Sequence, residues 1–249
     1  MKVEKRREPR CVCADAREAR GYREALGEDR AQLLLTDPPY CLLTRRRKGG
    51  DLRDGRNRKI DRDPVLRFET VRDYRTFTAA WMGEAVRWLT GPAPLIIWTN
   101  FLGKAPIFEA AAALGYGQLW GEFVWGKRSR EGGGNEQLVR VYEVALVLGR
   151  VPLRPPSVAD APVPWSVVTG YDDEGEGGQW GHHPHHKPHS ALEPLVRLYS
   201  RPGELILDPF AGSGSIPASA LKLGRDVACL ELRPDWAAQV TERITGALP

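Results

Sequence analysis

Short continuous apolar runs alternate along this chain with stretches whose apolar residues recur at helical spacing. Residues 11–15 (CVCAD) read as a short strand ending in an acid, followed by a helical pattern through Leu26. Residues 31–36 (AQLLLT) form an apolar run, the pattern of a strand buried on both faces. Asp37-Pro38-Pro39-Tyr40 must end that strand, because proline has no N–H to give to a sheet. Residues 71–90 place Phe77, Trp81, Ala85 and Trp88 near helical spacing, and Gly91 and Pro92 stop the helix. Residues 94–99 (PLIIWT) predict another buried strand, and 104–114 a helix with Pro106 in its first turn. Strands are expected at 119–125 and 142–148, separated by a polar, glycine-rich stretch over 127–140. Residues 150–182, rich in Pro, Gly and acids, read as an irregular insertion. Then come a helix (189–200), a strand (204–208), a helix (215–223), a strand (226–231) and a helix (234–246). This alternation predicts an α/β fold, with a mostly parallel sheet covered by helices on both faces. One domain over 1–249 is expected, carrying a loop at about 41–68 and the insertion at about 150–182.

A length of 249 residues and a hydrophobic content of 42% suit a single α/β core. The four cysteines (Cys11, Cys13, Cys41 and Cys229) are too scattered for a disulfide framework, which points to a reducing cytoplasm. The charged start MKVEKRREPR lacks the apolar core of a signal peptide, and no run of about 18 apolar residues exists to span a membrane. Net charge is only +4, but residues 45–62 hold nine Lys or Arg against three Asp. The rest of the chain is therefore slightly acidic. A basic segment on a near-neutral body fits a loop that contacts phosphates, and a solvated loop is the plainer alternative. Its candidate phosphate contacts are Arg45, Arg46, Arg47, Lys48, Arg53, Arg56, Arg58 and Lys59, with Lys127 and Arg128 beyond it.

Two segments carry recognisable chemistry. Asp208-Pro209-Phe210-Ala211-Gly212-Ser213-Gly214-Ser215 joins a buried strand to a helix, and Glu231 ends the following strand. The glycines allow a tight turn and close approach to a ligand, and an acid at that strand end can accept from ribose hydroxyls. Neither G-x-G-x-x-G nor G-x-x-x-x-G-K-[ST] is present, so a nucleoside without phosphates, such as S-adenosylmethionine, fits better than a dinucleotide or ATP. The second segment is Thr36-Asp37-Pro38-Pro39-Tyr40. An exocyclic amine of adenine or cytosine is a poor nucleophile, because its lone pair is delocalised into the ring. Asp37 and the carbonyl of Pro38 can each accept one of its N–H groups, while the prolines stiffen the backbone that presents them. Tyr40 offers a ring to stack on a flipped base. Alone, the glycine loop is equally compatible with a structural turn, and a plain turn after a strand is the lesser alternative for Asp-Pro-Pro-Tyr.

Together, and in this order, the two segments resemble the beta class of DNA amino-methyltransferases, in which D/S-P-P-Y precedes F-x-G-x-G. The resemblance covers nearly the whole chain. It implies a Rossmann-like, circularly permuted S-adenosylmethionine-dependent methyltransferase fold. Cys13-Ala14-Asp15 is similar to the family's early G-D, which sets Asp15 near the cofactor's adenine. Trp125-Gly126-Lys127 and Tyr142-Glu143 are similar to the W-x-K and Y-E elements around the target pocket. His183-Pro184-His185-His186-Lys187-Pro188 is similar to H-P-T-Q-K-P, with two His in place of Thr-Gln. That match implies that Lys187 covers the methionine end of the cofactor. The expected catalytic residues are Asp37, Pro38, Pro39 and Tyr40. The expected cofactor-binding residues are Asp15, Asp37, Lys187, Asp208, Phe210, Ala211, Gly212, Ser213, Gly214 and Glu231.

The resemblance implies methyl transfer from S-adenosylmethionine to a flipped-out base of double-stranded DNA, as in restriction-modification, phage or regulatory systems. Aspartate at the start of D-P-P-Y favours adenine N6, since cytosine-N4 members more often carry serine. Cytosine N4 and a non-catalytic DNA-binding subunit are the alternatives. Candidate target-reading segments are short, so a relaxed target sequence, a homodimer or a second subunit is expected. The five histidines fall between 182 and 189 and invite a zinc reading, but Pro184 and Pro188 break helical presentation and no cysteine is close. No metal is expected.

Overall fold

The computed structural model describes residues 9–43, 66, 68–126, 142–152, 166–168 and 186–246. Among these, eight strands form one sheet: β1 (Arg10–Cys13), β2 (Leu33–Thr36), β3 (Leu95–Thr99), β4 (Gln118–Gly126), β5 (Tyr142–Gly149), β6 (Ser166–Val168), β7 (Leu205–Asp208) and β8 (Asp226–Glu231). Their order across the sheet is β1-β8-β7-β2-β3-β5-β4-β6. The first five are mutually parallel. Strand β5 runs antiparallel between β3 and β4, and β6 pairs parallel to β4.

The apolar runs work because successive side chains point to opposite faces. Leu34, Leu95, Ile97, Leu205, Leu207 and Leu230 belong to one buried cluster. It also contains Tyr22 and Leu26 of α1 (Ala19–Leu26), Trp81 and Ala85 of α2 (Val71–Ala85), and Ile107 and Ala111 of α3 (Lys104–Ala113). Leu33, Leu35, Ile96, Trp98, Ile206 and Cys229 fill the other cluster. There they meet Leu192 and Val196 of α4 (His189–Tyr199), Ile216 and Leu221 of α5 (Ser215–Lys222), and Val240 and Ile244 of α6 (Pro234–Gly246). Among the described residues, three helices therefore cover each face.

Local chemistry sets the helix ends. Thr70 and Asp73 form a reciprocal capping box at the start of α2: Asp73 N donates to Thr70 Oγ1 at 3.1 Å, and Thr70 N to Asp73 Oδ2 at 2.9 Å. The helix expected over 71–90 is shorter in its α-helical part. It ends at Ala85 and tightens into a 3-10 turn over Val86–Trp88. The chain is diverted there because Ala31 N donates to Trp88 O and Thr90 N donates to Ala31 O, both at 2.9 Å. Within the stretch 150–182, read as an irregular insertion, residues 166–168 form β6, which the sequence reading did not expect.

Candidate functional site

The connections after β2 and β7 leave in opposite directions, toward β3 and β8. Adjacent parallel strands whose crossovers diverge open a crevice at their carboxyl ends, the usual ligand position of such sheets. Thr36-Asp37 and Asp208 lie at those two ends. Thr36 Oγ1 donates to Asp208 Oδ1 at 2.7 Å, and Phe210 N donates to the same oxygen at 3.1 Å. The two motifs read from sequence thus share one crevice.

On the Asp37 side of the crevice, Lys187 is 2% exposed and its ammonium has three protein acceptors. Nζ donates to Asp37 Oδ2 in a short contact, to Glu143 Oε2 at 3.1 Å and to Tyr40 OH at 3.2 Å. Tyr40 OH in turn donates to Glu143 Oε2 at 2.7 Å. The ammonium also lies 5.1 Å from the ring centre of Trp98, 5.5 Å from Tyr40 and 6.0 Å from Trp125. Burial works against the charged form of Lys187. The carboxylates of Asp37 and Glu143 outweigh it and hold the lysine above its ordinary value, so it stays a cation. Tyr40 is raised well above its ordinary value, first by burial and then by the charges of Asp37 and Glu143, so it is a neutral phenol. Asp37 Oδ1 is buried with no hydrogen-bond partner among the described residues. Behind this group, Asn100 ties down the loop after Tyr40, donating from Nδ2 to Cys41 O at 3.4 Å and accepting Gly103 N at 3.0 Å.

The side of the crevice after β7 is built on backbone. Gly212 and Gly214 adopt φ of 52° and 75°, a region that side chains resist. Ala211 N donates to Leu230 O at 2.9 Å, pinning the loop to β8. Glu231 accepts Gly212 N at 2.9 Å and Arg233 N at 3.0 Å, one on each carboxylate oxygen. This fixes its carboxylate and leaves lone pairs for a ligand. From α6, Arg243 Nη1 donates to Ser213 O at 2.8 Å. The Phe210 ring packs edge-on against Trp81 at 5.2 Å and tilted against Phe77 at 6.0 Å. Asp208 is pushed up to about 7, chiefly by burial, then by the charges of Asp37 and Glu231; the bonds from Thr36 and Phe210 oppose the rise. Its Oδ2 is buried without a hydrogen-bond partner among the described residues.

The structure brings Asp37, Pro38, Pro39, Tyr40, Lys187, Asp208, the 210–214 loop and Glu231 to the carboxyl side of the sheet. Asp15 follows β1 on the same side, and its carboxylate is clamped by Arg17 Nε at 2.9 Å, which holds it below the usual range. The ten candidate DNA contacts from Arg45 to Arg128 lie outside the described residues. Sequence reasoning did not select Glu143 as a site residue, although its Tyr-Glu context matched a pocket element. Arg243 was missed entirely, because its spacing with Val240 and Ile244 is that of an ordinary core stripe. Of the five histidines, His186 and His189 are described. His186 Nδ1 lies 3.2 Å from Ser213 Oγ, on the glycine loop. Among the described residues no group of three His, Cys, Asp or Glu is placed to hold a metal, and no helix is long and apolar enough to cross a membrane.

Comparison with known proteins agrees with this geometry. The protein YubD of Escherichia coli (strain K12) is 39% identical over 91 residues, a stretch covering 36% of this chain and 37% of YubD. The chain thus matches well under half of that relative's length. The crystal structure of the M1.HpyAVI–SAM complex superposes with a TM-score of 0.65 at 15% identity, covering 94% of this chain and 98% of that one. PvuII DNA methyltransferase, cytosine-N4-specific, superposes with a TM-score of 0.66 at 14% identity, covering 97% and 94%. At such identities these likenesses establish the fold, which is that of DNA methyltransferases. The family N6_N4_Mtase, described as DNA methylase, matches residues 31–242, and the chain belongs to that DNA methylase family.

Proposed function

We propose that the protein transfers a methyl group from S-adenosylmethionine to the exocyclic N6 amine of an adenine flipped out of double-stranded DNA. The observation that carries this reading is the divided carboxylate of Asp37. One oxygen is held by Lys187, and the other is buried with no partner among the described residues, beside the crevice shared with the glycine loop. An unpartnered buried acceptor is costly unless a ligand donates to it.

The residues fit S-adenosylmethionine. Gly212 and Gly214 open a backbone cradle, Glu231 presents a fixed acceptor for ribose, and Asp208 Oδ2 is a second buried oxygen with no hydrogen-bond partner among the described residues. Phe210 supplies apolar surface beside them. The bound cofactor supplies an electrophilic methyl on a sulfonium. Asp37 Oδ1 accepts one N–H of the target amine and the Pro38 carbonyl the other, which draws the nitrogen toward a tetrahedral shape and frees its lone pair. Tyr40 presents its ring to the base. As the N–C bond forms and the S–C bond breaks, the surplus proton on nitrogen passes to Asp37 or to water.

Adenine is preferred over cytosine because Asp37 stands where cytosine-N4 members more often carry serine. DNA contact through the basic segment and pairing of two subunits belong to the same proposal. The test is transfer from labelled S-adenosylmethionine to unmethylated genomic DNA, with nucleosides of the product weighed. N6-methyladenine is expected. N4-methylcytosine would move the activity to the other base, and no transfer with cofactor bound would overturn catalysis on DNA.

A further inference from the structure

The resemblance implies that Lys187 serves the cofactor. The geometry points elsewhere, and we propose that Lys187 is a positioning residue for the target amine, acting through Asp37 and itself held by Glu143. This rests on the methyl-transfer reading above and assigns two residues of the same site.

The donor count carries the argument. A lysine ammonium has three protons, and here three acceptors surround it: Asp37 Oδ2, Glu143 Oε2 at 3.1 Å and Tyr40 OH at 3.2 Å. No proton of Lys187 is left for the carboxylate of a bound methionine moiety. The side chain is also boxed by the rings of Trp98, Tyr40 and Trp125 at 5.1, 5.5 and 6.0 Å. At 2% exposure it is buried against these rings and cannot swing out without displacing them. The neighbouring His186, by contrast, contacts Ser213 of the glycine loop. Adjacent residues of this strap therefore serve different halves of the crevice.

Holding one carboxylate oxygen decides what the other does. With Oδ2 engaged by Lys187, rotation of the Asp37 carboxylate would break a charge-assisted hydrogen bond in a nearly dry site. Oδ1 is thereby kept as the acceptor for the amine. Glu143 completes the device, since it accepts from both Lys187 and Tyr40 and so links the orientation of the acceptor to that of the stacking ring. The groups facing Lys187 are Asp37 and Tyr40 after β2, Glu143 on β5, Trp98 on β3 and Trp125 on β4. Asp208 acts on the cluster through its charge coupling to Asp37.

The test separates positioning from cofactor binding. Lys187→Met and Glu143→Gln are compared with the wild type in S-adenosylmethionine Kd, by calorimetry, and in kcat on DNA at saturating cofactor. Lys187→Met should leave Kd within about threefold and lower kcat by about 100-fold, the scale set by misplacing a reacting group by about 1 Å. Glu143→Gln, which keeps the acceptor and loses the charge, should lower kcat by about tenfold with Kd unchanged. Because Lys187→Met strips two buried carboxylates of their cation, the double variant Glu143→Gln/Lys187→Met, which removes one charge of each sign, guards against misfolding and should show the same split. A cofactor Kd weakened tenfold or more, or a kcat within about threefold of wild type, overturns the inference. Absence of transfer by the wild type itself would overturn the methylation reading, a result distinct from either.

Discussion

Replacing Asp208 with asparagine should stabilise the protein strongly in mild alkali and far less in mild acid. Asp208 is 2% exposed and titrates near 7 instead of 3.8, mainly because burial disfavours its charge. A carboxyl whose folded value lies above its unfolded one keeps its proton in the native state after the unfolded chain has released it. Stability therefore falls as pH rises from about 4 to about 7, and the full penalty persists above that. At about 1.4 kcal/mol per unit, the rise corresponds to roughly 4 kcal/mol, an upper bound because buried sites relax around charge. The amide oxygen of the Asp208→Asn variant would still accept from Thr36 Oγ1 and Phe210 N, the bonds that Asp208 makes at 2.7 and 3.1 Å. Its NH2 group would stand where the protonated acid has its O–H, so at pH 5, about one unit above the unfolded value, the variant should gain only about 1–2 kcal/mol over the wild type. At pH 8 it should melt at least about 5 °C higher, since a domain of this size gains about 2–4 °C per kcal/mol. Thermal melts at pH 5 and pH 8 decide the matter. An equal shift at both pH values, or a less stable variant at pH 8, would refute the reasoning.

Other predictions use the same site and the segment flanking it. Gly214→Ala forces a side chain into φ of 75° and sets its Cβ 3.3 Å from Arg243 Cδ, so urea unfolding should show a loss of about 1–2 kcal/mol. Glu231→Gln keeps the side chain's shape but removes the charge that fixes Gly212 N, and S-adenosylmethionine affinity measured by calorimetry should fall about tenfold, as one charge-assisted bond is worth about 1.5–3 kcal/mol. Replacing Arg45, Arg46, Arg47 and Lys48 by alanine should weaken binding to DNA of any sequence and flatten the salt dependence by about 0.9 per lost phosphate contact. Unchanged affinity in a salt titration would remove the segment from the DNA interface.

The strands were legible where both faces are buried. Leu33-Leu34-Leu35 and Leu95-Ile96-Ile97-Trp98 are apolar at every position because helices cover both sides of the sheet. Strand order was not legible, since nothing in β5 records that it will insert antiparallel between β3 and β4. Strand β6 was hidden for a related reason: three residues in a Pro-rich stretch become a strand only because β4 offers an edge. Among site residues, Asp37, the 210–214 loop and Glu231 announced themselves by lying at strand ends. Lys187 did so only as a motif letter. Its partners Asp37, Tyr40 and Glu143 come from two other parts of the chain, so its orientation is a product of tertiary structure alone.

The topology explains why the catalytic motif can precede the cofactor motif without harm to either. The crevice requires only that β2 and β7 be neighbours with diverging crossovers, and that condition is indifferent to which strand comes first in the chain. What the order does change is the support of the cofactor half. Strand β8, which carries Glu231, is flanked by β7 on one side and on the other by β1, from the far end of the sequence. Ala14 N donates to Glu231 O at 3.0 Å, so the residue presenting the acid is held by a segment more than two hundred positions away. On the other side of the crevice β2, β3, β5 and β4 pair in one block, and the long-range support there comes from Lys187 and β7 instead of β1. On the proposed roles, damage at β1 should therefore weaken S-adenosylmethionine binding before it affects the placement of the target amine, a difference that cofactor Kd and kcat measured on a β1 variant would show.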